Sequence, residues 1–106
     1  KCFKLKHGKI QDIAYTFKKE DKSVGFSGDC TYTENLDKFV QNANYLFLEC
    51  CGNYTNDRHL GVDKFKGYKE KYVNKKFLAI HCCEEVYNNF EKLGIELAQS
   101  GKKYEI

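Results

Sequence analysis

The first third of the chain alternates apolar and polar residues with a period of two, the pattern of strands that bury one face. Residues 3–7 show this alternation, and so do residues 10–17. A charged hairpin turn over residues 18–23 leads into a third short strand, residues 24–27. We therefore predict that the fold starts with three consecutive antiparallel strands.

The periodicity then changes to helical spacing. Apolar residues recur at intervals of three and four over residues 36–43, and Thr33 or Asn35 can cap this helix. The later predicted elements are a strand over 45–50, a helix over 62–73, a strand over 76–81, a helix over 84–100 that Gly101 stops, and a short strand over 103–106. The two inner strands are nearly all apolar, which indicates parallel strands buried on both faces. The order β-β-β-α-β-α-β-α-β predicts an α/β fold with a mixed sheet.

Polar side chains that suit metal binding or proton transfer stand at the ends of three predicted strands. Residues 24–29 read Val-Gly-Phe-Ser-Gly-Asp, so Gly28 turns the backbone and Asp29 follows at once. The strand over 45–50 delivers Glu49, and the strand over 76–81 ends on His81. Ligands bind at the carboxyl ends of strands in open α/β sheets, so we predict that these side chains meet at one edge.

Two other histidines and the chain's single arginine flank these positions. His59 precedes a predicted helix, and the Glu49 carboxylate would hold its ring and favour the imidazolium, which makes His59 a candidate proton donor. His7 ends an edge strand, and Arg58 could clamp a phosphate. Structural roles stay open for all of them, as for Asp29, which could be a simple turn aspartate.

The bulk composition fits a folded domain. Apolar residues make up 42% of the 106 residues and charged residues 31%, so disorder is not expected. The net charge of +3 comes from scattered lysines and does not argue for nucleic acid. No apolar run reaches the roughly 18 residues that span a bilayer, and no signal peptide is visible, so we expect a cytoplasmic protein.

Six cysteines stand at Cys2, Cys30 and the adjacent pairs 50–51 and 82–83. An even count allows disulfides. The apolar content is high enough for a core that is stable without disulfide bonds. In addition, adjacent cysteines at a strand end point to opposite faces of the sheet. We predict reduced thiols. Cys30, Cys82 and Cys83 are expected to be small core side chains, with a soft metal ligand among them as the alternative.

In this order, the motifs resemble the C-terminal half of the metallo-β-lactamase fold, in its RNase Z-like and phosphodiesterase-like branch. The matching stretches are residues 24–29, residues 45–49, His59-Leu60 and residues 77–81, each in the expected place between helices. The resemblance covers about residues 3–100. It implies half of an αβ/βα sandwich, with helices on one face of a mixed sheet, and residues 1–106 as one domain or a C-terminal half-domain.

The resemblance also implies a metal-dependent hydrolase, with a phosphodiester as substrate and RNA as one option. Asp29 would be the bridging metal carboxylate and His81 a terminal ligand of two divalent ions, zinc or else manganese or iron. Glu49 and His59 would protonate the leaving group. The family's His-x-His-x-Asp-His motif is absent from the chain, so the resemblance implies either part of a longer hydrolase, with a site completed by residues outside this chain, or a remnant that no longer catalyses. In both cases we expect this chain alone to be inactive.

The resemblance leaves one face of the sheet uncovered, including alternate residues of 45–50 and 76–81. A bare apolar patch of several hundred Å² usually marks an interface. We therefore predict that this face meets a missing N-terminal half or a second copy. Two other hypotheses remain: a non-catalytic α/β interaction module with structural His and Cys, and a small redox or metal-trafficking protein that uses its cysteines.

Overall fold

The computed structural model describes residues 1–106 and contains five strands and three helices. In chain order these are β1 (Cys2–His7), β2 (Ile10–Lys19), β3 (Lys22–Phe26), α1 (Glu34–Gln41), β4 (Tyr45–Glu49), α2 (Val62–Lys71), β5 (Lys76–Ile80) and α3 (Glu84–Leu93). The predicted α/β class is confirmed. None of the three helices has the length and apolar character needed to cross a bilayer.

The five strands form one mixed sheet in which every strand lies beside its neighbour in sequence. β1, β2 and β3 are antiparallel, whereas β3, β4 and β5 are parallel. Antiparallel neighbours need only a hairpin turn, but parallel neighbours need a crossover, and α1 and α2 provide the two crossovers. The carboxyl ends of β3, β4 and β5 therefore share one edge of the sheet, with Glu49 opposite Ile80.

All three helices pack on the same face of the sheet. Phe39 of α1, Phe65 of α2 and Val86 of α3 are fully buried in a core of 20 residues. Thr33, one of the two caps that the sequence allows, caps α1 by accepting a hydrogen bond from the Leu36 N–H. The core leaves no space over Gly25 of β3, where a Cβ atom would lie only 2.9 Å from the Phe39 ring.

The opposite face of the sheet is partly bare. Phe17 is 62% exposed, Tyr15 45% and Phe26 41%, and all three lie on β2 or β3 with side chains directed away from the helices. We call these three residues and Ile13 the open face. Over β4 the same face is better covered, because Tyr104 from the C-terminal segment packs against Phe47 with ring centroids 5.7 Å apart.

The prediction is wrong in three respects, all of them from β5 onwards. α3 ends at Leu93 rather than at residue 100, because Gly94 takes a left-handed conformation and its N–H bonds back to the last turn. Residues 103–106 form no strand, and Leu97 instead makes an isolated parallel bridge to Ala79. Leu78, expected on the bare face, is fully buried. The other elements end within a few residues of their predicted limits.

The close contact at Gly25 gives a test of the packing. We expect Gly25→Ala to lower the free energy of unfolding by about 1–3 kcal/mol, because the new methyl group overlaps the Phe39 ring. The matched control is Gly67→Ala in the exposed middle of α2, where an added Cβ has no heavy atom within 4 Å. This change should raise stability by about 0.5–1 kcal/mol. Urea unfolding followed by circular dichroism measures both, and equal effects would contradict the packing.

Candidate functional site

Asp29 reaches the carboxyl edge of the sheet through a short turn after β3. Gly28 has a φ of +65°, and a Cβ atom there would lie 2.6 Å from Oδ2 of Asp12, so both the backbone and the available space favour glycine. Next to it, the Ser27 hydroxyl accepts a hydrogen bond from the Glu49 N–H at 3.0 Å. This bond joins the end of β3 to the end of β4, and it brings the segment that carries Asp29 close to Glu49.

Glu49 is the centre of the site and is completely buried. Its Oε2 accepts hydrogen bonds from the backbone N–H groups of Cys30 at 3.2 Å and Leu60 at 2.7 Å. Its Oε1 lies 2.6 Å from Nδ1 of His59 and 2.9 Å from Nδ1 of His81. No lysine or arginine pairs with this carboxylate, so the two imidazoles are its side-chain partners.

The loop between β4 and α2 places His59 beside Glu49. The Asn56 side chain accepts hydrogen bonds from the backbone N–H groups of Arg58 and His59, at 2.9 and 2.8 Å, and so forms a tight turn before the histidine. Farther along, the Cys51 N–H bonds to the Leu60 carbonyl at 2.8 Å. The loop is therefore fixed on both sides of His59, and the ring orientation follows from the fold.

His81 follows β5 and holds a strained backbone. Its φ is +52°, in the left-handed region that residues other than glycine rarely adopt. Such a conformation costs on the order of 1–3 kcal/mol and persists where surrounding contacts enforce it, most often at functional sites. Here the enforcing contacts are Oε1 of Glu49 at 2.9 Å and Oδ1 of Asp29 at 3.4 Å from Nδ1.

Two triads of metal-competent side chains meet at this edge. Donor atoms of Asp29, Glu49 and His81 all lie within 4.8 Å of one another, and so do donor atoms of Cys51, His59 and His81. Carboxylate, imidazole and thiolate donors suit zinc and related ions. Zinc takes about four such ligands, so either triad alone leaves at least one position for water, substrate or a ligand from outside the triad.

The four residues singled out in the sequence, Asp29, Glu49, His59 and His81, thus converge on one point of the molecule. His7 joins them, because its ring lies 4.7 Å from that of His59 and its Nδ1 bonds to the Arg58 carbonyl. All three histidines of the chain therefore form a row across the strand ends. The Arg58 side chain is exposed beside them.

Cys51 is the site residue that the sequence analysis missed. Its position two residues after Glu49 was the available signal, because alternate residues leave an extended chain on the same side. Burial, followed by the Glu49 charge and Cys83, raises the pKa of the Cys51 thiol. Burial also raises the pKa of Cys30 to about 12 and that of Cys82 to about 11. None of the six cysteines is in a disulfide.

Solved structures with the same fold were found by comparison. The metallo-β-lactamase fold protein YhfI from Bacillus subtilis matches with a TM-score of 0.78 and 18% identity, over 95% of this chain and 46% of that one. An isothiocyanate hydrolase from Delia radicum gut bacteria matches with a TM-score of 0.71 and 12% identity, over 95% and 52%. A diphosphatase of the PhnP family matches with a TM-score of 0.68 and 20% identity, over 99% and 42%.

These matches show the fold. The chain adopts about half of a metallo-β-lactamase sandwich and spans about half the length of the structures it matches. No protein-family model matches the sequence, and no curated protein matches it. The RNase Z-like branch and the position of the chain in a C-terminal half stay predictions.

The hydrogen bonds of Glu49 predict the protonation of two rings. An ionised carboxylate only accepts, so both His59 and His81 must carry the proton on Nδ1. In Glu49→Gln, the amide NH₂ avoids the two backbone N–H groups and faces the rings, so both Nδ1 atoms must become acceptors. We expect the rings to change to the Nε2–H tautomer and stability to fall by about 1–3 kcal/mol.

Nitrogen chemical shifts from long-range ¹H–¹⁵N spectra report the tautomer of each ring. The matched control is Glu70→Gln, which removes a carboxylate from an exposed position of α2. Rings that keep the same tautomer in Glu49→Gln would show that the carboxylate does not set their protonation.

Proposed function

We propose that this chain supplies part of the active site of a metal-dependent hydrolase that acts on phosphodiester bonds. The observation that carries the proposal is the convergence of Asp29, His59 and His81 around the buried carboxylate of Glu49. The fold supports it, because the structures that share it include two proteins named as an isothiocyanate hydrolase and a diphosphatase.

Asp29 and His81 would hold divalent metal. Both side chains are about half exposed, at 45% and 46%, and the Asp29 carboxylate lies 3.4 Å from Nδ1 of the His81 ring, which leaves Nε2 of that ring as the nitrogen that would bind metal. They are too few to complete a dinuclear zinc site, so the remaining ligands would come from residues outside this chain. When bound, two such ions activate a water molecule and polarise a phosphoryl oxygen.

His59 would act as the general acid. Its Nδ1 is engaged by the Glu49 carboxylate at 2.6 Å, which leaves Nε2 as the nitrogen that can give a proton to the leaving oxygen. The side chain is 25% exposed, so one edge of the ring is open to a substrate. Glu49 stabilises the charged ring and fixes its orientation. Arg58, next in sequence and exposed, is available to bind a phosphate oxygen.

The open face supports a partner. Four apolar side chains on β2 and β3 stand clear of the helices, and three of them are aromatic: Ile13, Tyr15, Phe17 and Phe26. The structures with this fold are about twice as long as this chain. We propose that a second layer covers this face, supplied by a missing N-terminal half or by a second copy, and that the same layer completes the metal site.

Two substitutions test the catalytic assignment in the intact protein with its metal site complete. Asp29→Ala should abolish hydrolysis of bis-p-nitrophenyl phosphate, whereas the control Asp21→Ala, in the turn between β2 and β3, should not. His59→Gln should slow an alkyl phosphodiester by about 10²–10⁴-fold, because its leaving group needs a proton. Hydrolysis of the p-nitrophenyl ester should slow much less in His59→Gln, because p-nitrophenolate is a good leaving group that needs no proton. Unchanged turnover in Asp29→Ala would refute the metal role.

Light scattering tests whether the open face binds another protein chain. At low concentration the chain should form a dimer or bind a separately produced N-terminal half, and Phe17→Lys should weaken that association. Tyr54→Lys is the control, because Tyr54 is an aromatic residue even more exposed than Phe17, at 79% against 62%, but it lies in the loop after β4. A chain that stays monomeric and binds no such half would contradict the proposal.

A further inference from the structure

We propose that Cys51, His59 and His81 form a zinc site of their own, contained entirely within this chain, with Glu49 orienting both imidazoles. This site differs from the one under Proposed function in its soft thiolate ligand and in not using Asp29. It shares His81 with that site, and it uses His59 as a ligand rather than as an acid.

The donor atoms are already close together. One nitrogen of each imidazole and the Cys51 sulfur lie within 4.8 Å of one another. With Zn–S near 2.3 Å and Zn–N near 2.0–2.1 Å, tetrahedral ligands stand about 3.3–3.6 Å apart. Donor atoms that start within 4.8 Å of one another must therefore move closer by at most about 1–1.5 Å to bind a common zinc ion.

The backbone explains why these three side chains meet. Cys51 lies at the centre of the arrangement, since its N–H donates to the carbonyl of Leu60 at 2.8 Å, next to His59. Its carbonyl accepts from the N–H of Cys83 at 2.7 Å, two residues after His81. The three segments that carry the ligands are thus hydrogen-bonded to one another through a single residue.

Glu49 supplies the outer part of the site. A histidine that binds a metal usually gives its other ring N–H to a carboxylate, which fixes the tautomer and the ring plane. Here one carboxylate oxygen contacts Nδ1 of both rings, at 2.6 and 2.9 Å. Because Glu49 is buried and has no lysine or arginine partner, a cation beyond the two rings would also balance its charge.

The three ligands favour one metal, and they leave a coordination position free. One thiolate and two imidazoles favour zinc over magnesium or manganese, which prefer oxygen ligands. Three protein ligands also leave the fourth tetrahedral position free for water or a small ligand, as in catalytic rather than structural zinc sites. While zinc is bound here, His59 cannot protonate a leaving group, so this site and the proposed hydrolytic role exclude each other in time.

Cobalt substitution tests the site in the 106-residue chain. We expect one equivalent of Zn²⁺ to bind, and Co²⁺ in its place to show the charge-transfer absorption of a single thiolate ligand. Cys51→Ser should abolish that absorption. It should also weaken zinc binding by more than Glu49→Gln does, because Glu49 only orients the ligands and such changes cost roughly 10–100-fold in affinity. The matched control Cys83→Ser should keep both, and so should Asp29→Asn.

Retention of the thiolate absorption in Cys51→Ser, or its loss in Cys83→Ser, would overturn the proposal. So would a loss of zinc affinity in Asp29→Asn, which would assign the binding to the other triad. A second measurement needs no variant: zinc should protect Cys51 from alkylation in the folded wild-type chain, and equal labelling with and without zinc would contradict the site. The hydrolytic proposal fails separately, through unchanged turnover in Asp29→Ala.

Discussion

The structure at the carboxyl edge of the sheet depends on one buried carboxylate. Glu49 accepts hydrogen bonds from four donors that belong to three separate segments: Cys30 after β3, His59 and Leu60 in the loop after β4, and His81 after β5. A buried charge without a lysine or arginine partner is costly unless such bonds surround it. The carboxylate therefore holds the strand ends and the loop after β4 in one arrangement, and the positions of both histidines follow from it.

The two faces of the sheet differ in burial. The helical face supplies stability through a close-packed core, and its tightness at Gly25 shows how little space α1 leaves over β3. The other face keeps the aromatic side chains of Tyr15, Phe17 and Phe26 in contact with water. The structures that share the fold are about twice as long as this chain, so they contain a further part that this chain lacks.

The sequence predicted most of the fold because its signals were local. Alternation over residues 10–17, the Thr33 cap and the apolar runs of β4 and β5 each reflect contacts between near neighbours. The C-terminal segment was mispredicted because the apolar spacing continues past Gly94, whose left-handed conformation stops α3. The convergence of Asp29, Glu49, His59 and His81 was predictable from strand ends, whereas the approach of Cys51 and His7 depends on how one loop closes.

The left-handed backbone at His81 also bears on how this corner of the molecule fluctuates. Energy stored in that conformation would be released if the ring left Glu49, so we expect local opening to cost less here than in the neighbouring strands. Amide hydrogens around residue 81 would then exchange through brief excursions rather than through global unfolding. A bound ion or an opposing protein layer that holds the His81 ring in place would slow that exchange and make this end of β5 more rigid.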